Sequence, residues 1–284
     1  MAGQSSTPHL SSTKGLSTEI LPSSAPVLQS KTAEPASNLA ATGFSKYRSR
    51  IAQTSAEREA ACRLRFEVFN LELGEGLLAS YQTGLDQDRF DAVCDHLIIE
   101  DTEQNQLVGT YRMQSGAKAL NNFGYYSEQE FNFAPYETIR DQVLELGRAS
   151  IDSRHRTSEV LTLLWRGIVQ YARMNGLRYM IGCSSLTSQN PQEGWALYHR
   201  LKSFMAPTEF CTVPTEPFRL PQQDIASEEA IKIPRLLKTY LGVGAYICSE
   251  PAWDREFGTI DFLTLMDIER MTPAARTRFK ADTQ

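Results

Sequence analysis

Residues 145–158, ELGRASIDSRHRTS, set a glutamate and an arginine inside a short apolar strand and run that strand straight into a basic turn. The next segment, VLTLLWRGIVQYARMNG, has the periodicity of an amphipathic helix, and RYMIGCSSL after it reads as a second strand. A strand, a helix and a second strand at this spacing form a parallel crossover of the right-handed kind, so the chain is committed to an α/β sheet. At the turn between strand and helix, the free N–H groups and the helix dipole both favour an anion such as phosphate.

The rest of the chain narrows the context. Its 284 residues suffice for one large domain or two small ones. A net charge of -5 gives no global case for nucleic acid, so any basic site must be local, and no nucleic-acid motif is present. Cys62, Cys94, Cys183, Cys211 and Cys248 form no CxxC pair, the pattern of free thiols in a reducing compartment. No apolar run approaches the roughly 20 residues that span a bilayer, and the amino terminus lacks a secretory pattern. A cytoplasmic protein is expected, with peripheral contact at the inner membrane left open; Arg235 and Lys238 are the thin sequence support for that contact.

Residues 1–44 are rich in Ser, Thr, Ala and Pro and read as a disordered tail. Residues 45–284 form the expected domain: a mixed, mostly antiparallel sheet flanked by helices. AEREAACRLRFEVFN reads as a helix, and LGEGLLASYQTGLDQDRFDAV as a mobile loop. CDHLIIED and LVGTYRMQS read as an antiparallel pair, and YETIRDQV as a short helix. Asn190 and Pro191 open a further helix, PRLLKTYLGVG forms another, and residues 245–269 close the fold as two strands joined near Gly258.

Several residues can carry chemistry. Strand alternation places Glu145 and Gly147 on one face and Leu146 and Arg148 on the other. Desolvation raises the pKa of a carboxylate among apolar residues, which suits a general base toward an amine, whereas a Glu–Arg ion pair tying strands together is the bland account. Asp91 sits just before a strand whose Asp95 and His96 precede Arg112 on the expected partner strand. Adjacent residues point to opposite faces, so the two form no dyad and one of them faces the Glu145 pocket; a hydrogen-bonded strand-end histidine explains His96 equally well. Arg154, His155 and Arg156 crowd the turn, with Thr157 or Ser158 as helix N-cap. Such residues are either a solvated face or a site for a phosphate and an acidic partner. No metal site is expected, because Cys94, Asp95 and His96 lack a fourth ligand at suitable spacing. Cys183, on a strand without a nearby base, reads as packing.

The ordered series FDAVCDHLIIED, GTYRM, GYYSEQEF, LELGRASI, LLWRGIVQY, GCSSL and IPRLLKTYLGVGAYICSEPAWDREFGTIDF resembles the ornithine N-acyltransferase group of the GNAT superfamily over about residues 47–270. That likeness implies transfer of a 3-hydroxyacyl chain from acyl carrier protein to the α-amine of ornithine, the first step of ornithine-lipid synthesis. The same skeleton resembles the acyl-homoserine lactone synthases, and by that likeness Asp95, Arg112, Glu145 and Arg148 line the acyl-transfer pocket. Arg112 and Arg148 then hold carboxylates, either the substrate's own or those of Glu145 and Asp95. CoA-dependent relatives carry a glycine-rich turn, whereas DSRHRTS has none. The 4′-phosphopantetheine thioester of acyl carrier protein therefore fits better than CoA, with Arg154, Arg156, Thr157 and Ser158 as its contacts and no permanently bound cofactor. Two rivals stay open: an N-acyl amino acid or homoserine lactone-type signal synthase, and a non-catalytic lipid-binding protein with the same fold.

Overall fold

Eight strands form one sheet: β1 (Tyr47–Ile51), β2 (Asp95–Asp101), β3 (Gln106–Ser115), β4 (Val143–Ile151), β5 (Tyr179–Leu186), β6 (Tyr246–Ile247), β7 (Ala252–Asp254) and β8 (Thr259–Asp267). Their order is β1-β2-β3-β4-β5-β8-β6, with β7 also paired to β8. Only β4 and β5 pair in parallel, across the expected crossover; the other pairs of these strands are antiparallel. The helices are α1 (Ser55–Phe66), α2 (Ser80–Thr83), α3 (Gly116–Leu120), α4 (Ser158–Met174), α5 (Pro191–Arg200), α6 (Arg235–Val243) and α7 (Pro273–Arg278). This computed structural model describes residues 46–223 and 231–279, and the tail expected over residues 1–44 lies outside them. The result is the α/β, GNAT-like, mostly antiparallel sheet that the sequence implied.

Alternation along the strands sorts the two faces. Leu97, Ile99, Met113 and Leu144 face α4, whose Val160, Leu164, Ile168 and Ala172 recur every fourth residue and are buried against them. Each large apolar side chain buried this way contributes about 1.5–3 kcal/mol. On the opposite face Ile98 packs on Ala61 of α1. Helix α1 starts at a capping box: Thr54 accepts from the Glu57 N–H, and Glu57 reaches back to the Thr54 N–H. It then widens into a π-helix, Glu67–Leu73, closed by Gly74 at φ 68°.

Three local expectations change. The segment expected as a helix around residues 136–143 is a 3-10 helix, Ala134–Gln142, with a proline in its first turn. The loop expected to be mobile holds α2 and a 3-10 turn, Arg89–Ala92, pinned by buried ion pairs. The last segment forms three strands rather than two, with Gly258 at φ 86° in the β7–β8 turn.

One feature of the sheet positions the site. The β4–β5 ladder covers only Val143–Glu145 against Tyr179–Ile181, whereas β4 stays paired with β3 out to Ile151 and β5 stays paired with β8 out to Leu186. The two central strands therefore part at Glu145. A cavity lined by Leu146, Trp165, Gly182, Cys183, Tyr240 and Thr264 lies where they separate. Gly182 is required at this point, since a Cβ there would lie 2.2 Å from the Leu146 carbonyl oxygen. Gly182→Ala is expected to destabilise the fold by about 1–3 kcal/mol, the usual cost of overpacking. Urea unfolding checks this, and an unchanged midpoint would show that the strands can spread without penalty.

Candidate active site

On the α1 face of the sheet, three arginines from three elements meet three aspartates from one loop. Arg65 of α1 is wholly buried and bonds Asp86 (Nε to Oδ2, 2.7 Å) and Asp91 (Nη1 to Oδ1, 2.7 Å). Arg112 of β3 donates to Asp88 at 2.7 and 2.8 Å and lies 3.5 Å from Asp91. Arg148 of β4 approaches Asp86 and Asp88, each at 3.4 Å. Burial alone would raise the Asp88 carboxyl, but Arg112 and Arg148 outweigh it and hold it below its ordinary value. Burial likewise opposes ionisation of Asp91, and Arg65 overrides it. The charges balance one for one.

Arg148 departs from simple alternation. Thr110 and Arg112, two residues apart on β3, oppose Ser150 and Gly147, three apart on β4, so β4 carries one extra residue. Arg148 occupies that bulge at φ 52°, a left-handed conformation that costs a non-glycine residue on the order of 1 kcal/mol. The bulge turns its guanidinium onto the Glu145 side of the sheet, over the rings of Tyr126 (4.9 Å) and Phe257 (4.3 Å). The expectation that Arg148 shares a face with Leu146 is corrected accordingly.

Glu145 is buried and faces the segment after α3. Its Oε2 accepts from the Tyr126 N–H (2.8 Å), and its Oε1 accepts from the Ser127 N–H (2.8 Å) and hydroxyl (2.6 Å). Burial raises its pKa, offset in part by these donors and by Arg112. The Ser127 hydroxyl lies 3.6 Å from the Cys183 thiol on β5, which bridges the parting of the strands. Glu145 thus meets an ordered hydroxyl at the head of the cleft. Tyr125 and Phe131, from the same segment, are fully buried in a separate apolar cluster and pack the core.

The other expected site residues fall elsewhere. Asp95 opposes Met113 on the α4 face, where it accepts from the Tyr171 hydroxyl (2.5 Å) and pairs with Lys118 (2.6 Å). The structure therefore separates Asp95 from Glu145, and the carboxylates beside Arg112 and Arg148 are Asp86, Asp88 and Asp91 instead. His96 is on the Glu145 face but behind the arginines, donating from Nε2 to the Asp91 carbonyl at 3.3 Å. Burial and then Arg65 lower its pKa to about 4, so the ring is neutral near pH 7. At the turn, Thr157 is the N-cap of α4, with its Oγ1 accepting from Val160, and Ser158 is the first helical residue. Arg154 bonds Asp152 with its side chain 69 % exposed, and Arg156 bonds Glu72 and the Ile151 carbonyl.

Asp91, legible in the sequence just before β2, is joined by residues that the sequence expectation lacked. Asp86, Asp88 and Asp91 lie in GLDQDRFD, whose three closely spaced aspartates facing an arginine-bearing helix were the available signal. Glu130 and Asp261 converge with Cys183, their ligand-type atoms all within 4.8 Å of one another. Asp261 stands amid the apolar strand TIDFLTLMD, where a charged residue is conspicuous. Burial, with Asp254 adding, pushes Asp261 up to about 6; burial followed by Asp261 and Asp254 raises Glu130 well above its usual range.

Residues 64–166 match the acetyltransferase (GNAT) domain family. An L-ornithine N(alpha)-acyltransferase of Brucella abortus (strain 2308) is 34% identical over 244 residues, covering 78% of this chain and 85% of the relative. A protein of the same description from Agrobacterium fabrum (strain C58 / ATCC 33970) is 32% identical, covering 77% of this chain and 80% of its own. Among solved structures, the AHL synthase LasI superimposes with a TM-score of 0.47 at 10% identity, covering 84% of this chain and 98% of that one.

The pH dependence of stability follows from Asp261. Its folded pKa of about 6 lies above the ordinary 3.8, so its stabilising contribution is complete at low pH and is lost as pH rises through 6. Asp261→Asn, which does not titrate, should therefore gain on the wild type by on the order of 2–3 kcal/mol between pH 4 and pH 7.5. Denaturant melts across that range measure it, and a pH-independent gap would contradict the assignment.

Proposed function

The chain belongs to the GNAT acyltransferase family of the L-ornithine N(alpha)-acyltransferases, and from that premise we propose that it moves a 3-hydroxyacyl chain from acyl carrier protein to the α-amine of ornithine. The observation that carries this reading is the buried Glu145 carboxylate with the Ser127 hydroxyl bound to it, placed where β4 and β5 part. A thioester entering this cleft puts its carbonyl beside β4, where backbone N–H groups no longer claimed by β5 stabilise the developing oxyanion. The amine loses its proton to Glu145, directly at Oε2 or through Ser127, whose oxygen accepts while its own proton passes to Oε1. The freed lone pair forms the C–N bond, and as the tetrahedral intermediate collapses the C–S bond breaks and the carrier thiolate takes the proton that the new amide nitrogen sheds. Arg112 and Arg148, oriented by their aspartates, offer guanidinium donors to the acceptor's carboxylate.

The carrier's phosphate meets the turn at the amino terminus of α4. Arg154 and Arg156 already hold carboxylates there, but both guanidiniums reach solvent, where such pairs are worth about 0–1 kcal/mol, so a phosphodiester and an acidic carrier can exchange into them. The missing glycines in residues 152–158 favour a single phosphodiester over the pyrophosphate of CoA. Five unpaired cysteines accord with a cytoplasmic setting. Exposed Leu71, Leu73, Leu78 and Tyr81 offer an apolar surface for peripheral contact with the inner membrane. No helix among the described residues is long and apolar enough to cross a membrane.

Glu145→Gln is expected to lower kcat by about 100-fold or more with the fold and carrier binding retained, the range for loss of a general base. Single-turnover acyl transfer to ornithine checks this, and near-normal turnover would remove Glu145 as base. Arg154→Glu combined with Arg156→Glu should weaken carrier-dependent turnover by roughly 10-fold at low salt and much less at high salt. An equal loss with acyl-CoA as donor would refute carrier docking at this turn.

A further inference from the structure

Acyl transfer at Glu145 uses neither Glu130 nor Asp261, yet both are buried beside it. Glu130 is 1 % exposed, and neither of its carboxylate oxygens has a hydrogen-bond partner. Asp261 is 4 % exposed with Oδ1 unpartnered, and the hydroxyls of Ser185 and wholly buried Thr259 lie beside its carboxylate and offset only part of the burial. The charged groups that bear on Glu130 are acidic, Asp261 and Asp254. No lysine, arginine or histidine among the described residues forms an ion pair with Glu130 or Asp261. The contrast with Asp86, Asp88 and Asp91, each faced by an arginine, is sharp. Two carboxylates taken out of water cost several kcal/mol each unless they share a proton or receive a cation.

Their position says which cation. Cys183, in contact range of both, is two residues past the last β4–β5 pair and 3.6 Å from the Ser127 hydroxyl that binds Glu145. The cluster is therefore one short side chain away from the acylated amine. A divalent metal ion fits less well: two hard carboxylates and one soft sulfur are three ligands of unlike preference, short of the four of a closed zinc site. An ammonium carries three donors and one charge, matching Glu130, Asp261 and the Thr259 hydroxyl.

We propose that Glu130 and Asp261, with Thr259, form the subsite for a second, side-chain ammonium of the acceptor, so that the enzyme selects diamino acids. This rests on the reading of the chain as an amino-acid N-acyltransferase. The α-amine sits at Glu145 and Ser127, the side-chain ammonium sits between the two carboxylates, and an acceptor with a methyl group in place of that ammonium leaves the pair uncompensated.

The test compares ornithine with norvaline, the same carbon chain without the second amine, in wild type and in Glu130→Gln, Asp261→Asn and the double variant. Each protein is first shown to be folded by circular dichroism. Wild type should favour ornithine, and the ratio of kcat/KM values should collapse by on the order of 100-fold in the double variant, mainly through KM for ornithine. Equal losses for both acceptors, or a wild type that uses norvaline as well as ornithine, would overturn the subsite while leaving acyl transfer intact. A wild type that acylates no amino acid would overturn both. If the variants fail to fold, wild-type melting decides: ornithine should raise Tm and norvaline should not, and equal shifts would count against the subsite. Stoichiometric Mn2+ or Zn2+ binding to wild type, lost in a folded variant, would assign the cluster to a metal ion and overturn the proposal.

Discussion

The buried charge network of Arg65, Arg112 and Arg148 with Asp86, Asp88 and Asp91 ties together everything on the functional face of the sheet. It joins α1, the loop after α2 and strands β3 and β4, elements far apart in sequence. Networks of this kind are held by completeness: breaking a buried pair by removing one partner typically costs about 3–5 kcal/mol, because the other charge is left uncompensated. That cohesion also keeps Arg148 at a left-handed φ, where the β4 bulge turns it toward Glu145. Without the aspartates, the guanidiniums of Arg112 and Arg148 would be buried without a counter-charge.

Beside this balanced half lies an unbalanced one. Glu130 and Asp261 are as deeply buried as the aspartates but face one another rather than arginines. Between the two halves stands Glu145, satisfied by Tyr126 and Ser127 at the last residue of β4 that pairs with β5. A site with arginines paired to aspartates on one side and a carboxyl pair without a basic partner on the other suits a zwitterionic acceptor that carries an extra positive charge. The strand separation supplies the remaining requirement, a path for a thioester to reach the middle of the sheet.

Much of this was legible in the sequence because local pattern decided it. The crossover, the β2–β3 pair, the N-caps at Thr157 and Asn190 and the α6 end at Gly244 follow from periodicity and capping chemistry. Glu145 stands out as a charge in an apolar strand, and Asp261 does the same in β8. Facing was harder to read. Simple alternation misplaced Arg148 because one extra residue in β4 reverses the side to which it points. Asp95 was drawn toward Glu145 by its neighbours in sequence, yet it hydrogen-bonds to Tyr171 on the opposite face. The loop reads as mobile because the partners of its aspartates come from three different elements, a pairing no local window contains.

The central claim is that this cleft joins an acyl thioester to the amine of an amino acid. Mass spectrometry of the products formed when the full chain is incubated with a 3-hydroxyacyl carrier thioester and an equimolar mixture of amino acids tests it most directly. The account predicts a single dominant N-acyl product with the mass of the ornithine amide, its formation matched by free carrier thiol. Free fatty acid alone, a lactone, or an unchanged thioester would contradict it.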